Sequence, residues 1–179
     1  IASTSGNMRV TNCEIQRCGD GIDFQSSTYG NFIAWNVIHD CTSHGINMGT
    51  TSLGTVILGN LLYGCGGDGI NGAFTGNGSR SLAIINNTIN GSTSDGIELS
   101  GTVGDCNGQL RISNNILSNN GGYGLKFSNA SANDTYLQGV GVSVVGNQTY
   151  NNTSGAYYSA TGGSAYNACP WASGDTGLD

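Results

Sequence analysis

The polar and apolar positions of this chain repeat with a period far longer than a helix or a strand. An Asn followed two residues later by an apolar residue begins NVI at Asn36, NLL at Asn60, NTI at Asn87 and NIL at Asn115, and NQT at Asn147 keeps the same frame. Cys13 takes the anchor's place in CEI, and the gaps between successive anchors are 23, 24, 27, 28 and 32 residues. Three positions before each anchor stands an aliphatic residue: Val10, Ile33, Ile57, Ile84, Ile112 and Val144. Two after it come Ile15, Ile38, Leu62, Ile89 and Leu117, then Thr149, and five after it come Cys18, Cys41, Cys65, Ser92, Asn120 and Asn152. Eight or nine after it lies a Gly-apolar pair, from Gly21-Ile22 through Gly45-Ile46, Gly69-Ile70 and Gly96-Ile97 to Gly124-Leu125, with Ala156-Tyr157 in the last unit.

Within each unit the apolar pattern is short and of period two, or continuous over four residues. FIAW, TVIL, LAII, LRIS and VSVV therefore predict strands, with Gly, Asn and Ser turns between them. A unit of this size has too little apolar surface to close a core alone, so neighbours must stack, and parallel stacking places equivalent residues about 4.8 Å apart. An Asn repeated at that spacing can hydrogen-bond the copies above and below it.

In these features the chain resembles the right-handed parallel β-helix of the pectate-lyase-like superfamily, with three short strands per coil, an Asn ladder at one turn and a Gly-apolar pair opening another strand. The resemblance implies an all-β solenoid of about six coils over residues 1–158, expected to be part of a longer solenoid because the coil pattern starts at once at Ile1. Residues 159–179 lose the register and hold the single Pro, Pro170, which predicts a capping or peeling-off segment. The superfamily includes lyases, hydrolases, epimerases, tailspikes and inert stalks, so fold alone does not choose among them.

Composition narrows the choice. The chain has 179 residues, 31 Gly, 9% charged residues and a net charge of −6. Five scattered basic residues exclude the clustered Lys and Arg of a nucleic-acid surface. No apolar run approaches the length that spans a membrane. An extracellular location, or one on a cell or virion surface, is the expectation.

The returning Asp-Gly-Ile reads first as a corner: Asp favours turns through local backbone hydrogen bonds, and Gly accepts a positive φ. The same corner also builds a polar strip. Strand alternation turns Asp23, Asn47, Asn71, Glu98 and Lys126 outward, and a second line before each Gly holds Asp20, His44, Asp68, Asp95 and Tyr123. Insertions carrying Tyr29, Phe74 and Tyr136 border this face and could offer flat surfaces to sugar rings.

Asp68 and Asp95, one coil apart, would bring two carboxyls to about 5 Å, the separation of a retaining glycosidase pair. Asp20 and Asp68, two coils apart, come nearer an inverting pair, with His44 between them. Asp68, Asp95, Asp20 and His44 are thus the candidate catalytic groups, and Asp23, Asn47, Asn71, Glu98, Lys126 and Tyr123 the candidate substrate contacts. No cofactor is required, although calcium, which takes about six to eight oxygens, could use the same carboxylates. A lyase acting on an acidic polysaccharide needs cations to stabilise an enolate, and the strip offers only Lys126.

The expected partner is a neutral or weakly charged polysaccharide, bound and in one version hydrolysed; the residues leave open whether the chain is an enzyme. The competing expectation is a structural stalk, adhesin or tailspike-like shaft, for which a homotrimer or larger assembly would be natural. Cys18, Cys41 and Cys65 share one ladder position and read as stacked thiols, though one bridge among them is sterically allowed; Cys106 and Cys169 are a candidate pair pinning the tail.

Overall fold

A computed structural model describes residues 1–24, 29–49, 54–74, 81–101, 110–128, 142–159, 164–166 and 176–178. After β1 (Ala2–Ser3), strands follow in threes: β2 (Arg9–Thr11), β3 (Glu14–Gln16) and β4 (Ile22–Phe24); β5 (Phe32–Ala34), β6 (Val37–His39) and β7 (Ile46–Asn47). The next two sets are β8 (Thr55–Leu58), β9 (Leu61–Tyr63) and β10 (Ile70–Phe74), then β11 (Leu82–Ile85), β12 (Thr88–Asn90) and β13 (Ile97–Gly101). The last two are β14 (Leu110–Ser113), β15 (Ile116–Ser118) and β16 (Tyr123–Phe127), then β17 (Val142–Val145), β18 (Gln148–Tyr150) and β19 (Gly155–Ser159). Two further strands, β20 (Ser164–Tyr166) and β21 (Thr176–Leu178), close the order.

Every third strand pairs in parallel, and the result is three sheets wound as one solenoid. The first sheet runs β1-β4-β7-β10-β13-β16-β19-β20, the second β2-β5-β8-β11-β14-β17 and the third β3-β6-β9-β12-β15-β18-β21. The five strands read from FIAW, TVIL, LAII, LRIS and VSVV all lie in the second sheet. Among the described residues, the four turns that begin at β5, β8, β11 and β14 are paired on both sides in all three sheets. About four complete turns is therefore the better count, and six is slightly high because it includes end coils paired on one side only in the second sheet. Strand β20 folds back antiparallel on β19, which ends the parallel run of the first sheet.

The core is the stack of inward columns. Ile22, Ile46, Ile70, Ile97, Leu125 and Tyr157 form one column, and Ile33, Ile57, Ile84 and Ile112 another, all of them inaccessible to solvent. Each such side chain contributes about 1.5–3 kcal/mol relative to exposure. At one corner Asn36, Asn60, Asn87, Asn115 and Asn147 form the predicted ladder. Asn60 Nδ2 donates to Asn87 Oδ1 at 3.0 Å, Asn87 Nδ2 to Asn115 Oδ1 at 3.1 Å, and Asn115 Nδ2 to Asn147 Oδ1 at 2.8 Å. A second Asn step, not anticipated, follows the cysteines: Asn120 Nδ2 donates to Asn152 Oδ1 at 2.8 Å.

Cys18, Cys41 and Cys65 are free thiols at the head of that second column, with Cys18 Sγ and Cys41 Sγ 3.6 Å apart. Burial pushes the Cys41 thiol up to about 12 and the Cys65 thiol up to about 11. These sulfurs are therefore core atoms rather than nucleophiles. Cys106 and Cys169 lie outside the described residues.

The glycines of Asp-Gly-Ile differ from expectation. None of Gly21, Gly45, Gly69, Gly96 and Gly124 has a positive φ. They are needed for space, because a Cβ on Gly45 would stand 2.6 Å from the Gly69 carbonyl oxygen and 2.6 Å from Leu62 Cδ2. The left-handed corners lie elsewhere. One column holds Asn12, Trp35, Gly59, Asn86, Asn114 and Gly146, immediately before the anchors, and another holds Arg17, Asp40, Gly64, Gly91, Asn119 and Asn151.

Candidate functional site

The strip exists as a column on the outer face of the first sheet. In register, Asp23 pairs with Asn47, Asn47 with Asn71, Asn71 with Glu98, Glu98 with Lys126 and Lys126 with Tyr158. All of these side chains are half-buried. Asn47 Nδ2 donates to Asp23 Oδ1 at 3.1 Å, and Asn71 Nδ2 to Asn47 Oδ1 at 3.2 Å. Lys126 Nζ lies 2.9 Å from Asp95 Oδ2 and 3.4 Å from Glu98 Oε1.

The second line, Asp20, His44, Asp68, Asp95 and Tyr123, is itself a ladder from side chain to backbone. The His44 amide donates to Asp20 Oδ1 at 2.9 Å, the Asp95 amide to Asp68 Oδ1 at 2.8 Å and the Tyr123 amide to Asp95 Oδ1 at 2.6 Å. His44 Nδ1 lies 3.0 Å from the Asp68 amide and 3.3 Å from Asp68 Oδ2, so the neutral ring accepts from the amide and the protonated ring donates to the carboxylate. Asp68 is 3% exposed and Asp95 2%. Each buried carboxylate thus satisfies an amide that would otherwise have no partner at the corner. This gives Asp-Gly-Ile a structural role in the next coil that local turn preference does not reveal.

Burial would raise both acids, but they part company. At Asp68 the bonds from His44 and from the Asp95 amide outweigh burial and hold the carboxyl below its ordinary range. At Asp95 burial prevails over the Tyr123 amide and Lys126, and its carboxyl lies above that range. One oxygen from each of Asp68, Asp95 and Glu98 lies within 4.8 Å of the others, as a cation site would require. The Lys126 ammonium already bonds two of the three, so calcium would have to displace it, and three protein carboxylates fall short of calcium's usual complement.

Three features escaped the sequence reading. Tyr158 closes the column above Lys126, and its ring packs against Tyr123 with centroids 4.9 Å apart and planes tilted by 30°. Of the insertion aromatics, Tyr29 is exposed, and the Phe74 side chain and Tyr136 lie outside what is described. On the third sheet His39 is clamped between two carboxylates, Nε2 3.2 Å from Glu14 Oε1 and Nδ1 3.0 Å from Asp40 Oδ2. Its ring stacks on Tyr63 at 4.6 Å and 8°. In the same coil, Trp35 stands in a left-handed corner with φ 57° while half of its surface is open to solvent.

The bond to Asp40, then that to Glu14, raises the His39 pKa above 6.5, and the bond to Asp68 raises that of His44 above the same value. A folded pKa raised above the unfolded one gives stability that is present below about pH 6.5 and lost as pH climbs through the folded value. Asp68, depressed, contributes stability that is lost as pH falls below about 4. Asp95, raised, contributes stability that is lost as pH climbs from about 4 through its folded value. Melting temperature should therefore peak near about pH 4 and fall on both sides, and His39→Gln should flatten the alkaline limb when melting is followed by circular dichroism. An alkaline limb unchanged in His39→Gln would remove His39 from this account.

A parallel three-sheet solenoid with buried Asn ladders defines the class: a β-helix. A model of the right-handed β-helix region matches residues 1–169, and the chain belongs to that family. No curated protein and no solved structure matches it. The fold is one that often binds or degrades polysaccharides.

Proposed function

We propose that the outer face of the first sheet binds a neutral or weakly charged polysaccharide at an extracellular, cell or virion surface. The observation that carries this reading is the polar column that ends in the Tyr123–Tyr158 pair. Amide and carboxyl groups spaced by about 4.8 Å suit successive hydroxyls of an extended glycan. A tyrosine pair suits the apolar face of a pyranose. Lys126 bonds Asp95 and Glu98 and so balances part of the acidic charge of the face, and the carboxylates left over, Asp20 and Asp23 among them, would repel an acidic glycan.

The test is binding of the purified chain to a glycan array. Asn71→Ala/Tyr158→Ala is the comparison, because these side chains do not hold the corner amides. Retention of a neutral glycan that weakens at least tenfold (about 1.4 kcal/mol) in the variant, with a β-rich spectrum kept, is the expected result. No retention by the wild-type chain would favour a structural shaft instead.

Hydrolysis is a second reading, favoured by the opposite pKa displacements of Asp68 and Asp95 at a carboxyl separation within 4.8 Å. Divergent acids are what acid–base catalysis requires. Release of reducing ends that disappears in Asp95→Asn, with binding retained, would establish it; an unchanged glycan after prolonged incubation would reject it.

A further inference from the structure

Away from the strip, at the corner between the second and third sheets, an open groove of about 490 Å³ is lined by Asn12, Cys13, Glu14, Trp35 and Val37. Its most telling residue is Trp35. A non-Gly residue in the left-handed region costs about 1–2 kcal/mol, and an indole 51% exposed recovers little of that by burial. The corresponding corner positions in other coils hold Asn12, Gly59, Asn86, Asn114 and Gly146, residue types that accept this conformation readily. Trp35 therefore departs from its own column at a cost.

The ring is also held in place. Phe32 meets it edge-on, with centroids 5.9 Å apart and planes at 68°. Its Cδ1 and Nε1 lie 3.0 and 3.2 Å from the point where a Cβ on Gly59 would stand, so only glycine leaves room for the indole there. Glu14, on the groove wall, has its carboxylate oriented by His39. The lining carries no Lys, Arg or His, and its one charge is that carboxylate.

We infer that this groove is a second carbohydrate subsite, taking one uncharged sugar ring of the polysaccharide against Trp35, with Glu14 accepting hydrogen bonds from its hydroxyls. Aromatic faces match the C–H face of a pyranose, and a lone oriented acceptor repels acidic sugars. The inference rests on the polysaccharide reading for its ligand class but uses none of the strip's residues.

The test uses the Trp171→Phe chain, in which Trp35 is the only tryptophan. It is titrated with six-residue gluco-, manno-, galacto- and xylo-oligosaccharides while emission is recorded. Saturable change with at least one of them is expected. Calorimetry with that sugar should then show at least tenfold weaker binding for Trp35→Asn and for Glu14→Ala. Asn suits the left-handed corner, so Trp35→Asn should melt no lower than the parent, and lost binding cannot be ascribed to misfolding. Gly59→Asn, which keeps a residue suited to positive φ but pushes on the indole, should weaken binding while leaving Trp35 present. Emission unmoved by all four sugars, or Trp35→Asn binding as the parent does, overturns the subsite. Failure of the strip would show separately: Asn71→Ala/Tyr158→Ala would bind as the parent does while the Trp35 signal persisted.

Discussion

Asn87→Ala should lower the free energy of unfolding by about 3–5 kcal/mol, a large share of what a single domain has. Asn87 sits mid-ladder and is 1% exposed. Its Oδ1 accepts from the Asn60 amide at 2.9 Å and from Asn60 Nδ2 at 3.0 Å, and its Nδ2 donates to the Ile57 carbonyl at 3.0 Å. Alanine leaves two buried donors of Asn60 without that acceptor, at about 1–3 kcal/mol for each orphaned group. It also leaves a void where the amide stood. Asn90, a partly exposed residue of the same coil whose Nδ2 donates to Ser118 Oγ, is the control. Asn90→Ala should cost less than about 1 kcal/mol, as surface changes do. Urea unfolding of the two variants decides the matter, and equal costs would mean that the ladder is a bystander to stability.

Gly45→Ala should cost about 3 kcal/mol, near the upper end for overpacking. The added methyl meets the Gly69 carbonyl oxygen and Leu62 Cδ2, both at 2.6 Å, and Cys65 Sγ at 3.1 Å. The carbonyl cannot yield, because it accepts the Ile46 amide at 2.9 Å, and that bond ties neighbouring coils together. Gly19 provides the contrast: no atom lies within 4 Å of its would-be Cβ, and its φ is not positive. Gly19→Ala should be neutral or slightly stabilising, by up to about 1 kcal/mol, through the unfolded chain. A Gly45→Ala midpoint in urea matching that of the parent would refute the steric account of the Asp-Gly-Ile glycine.

What could be read from the residues was whatever recurs. The Asn anchors, the aliphatic columns and the five strands of the second sheet repeat in coil after coil, and a repeat gives away both its period and its inward face. The outward direction of Asp23, Asn47, Asn71, Glu98 and Lys126 followed from strand alternation in the same way.

Two kinds of feature were hidden. The first is a role that depends on the next coil. Gly45 looked like a turn glycine, yet what excludes a side chain is a carbonyl 24 residues further on, and Asp68 serves the amide of Asp95 across the stack. The second is whatever breaks the repeat. Trp35 occupies a column otherwise made of Asn and Gly, Tyr158 sits where earlier coils have Asn or charged residues, and His39 finds Glu14 only across 25 residues. In a stacked fold the recurring residues build the shaft, so the irregular ones are where binding chemistry should be sought.

The separations along the Asn ladder, 23 to 32 residues at every step, carry a kinetic consequence. Joining each new coil closes a loop of nearly constant length, and closure entropy grows only logarithmically with that length. No step is therefore much harder than another once a first pair of coils has docked. Folding should begin with a slow nucleation event among the interior turns and then zip outward in both directions, as in other quasi-one-dimensional proteins. Unfolding would retrace the route, with the end coils peeling away first and the central Asn60–Asn87–Asn115 segment last to open. The molecule should behave less like a globule with one barrier than like a short polymer whose units are added one at a time.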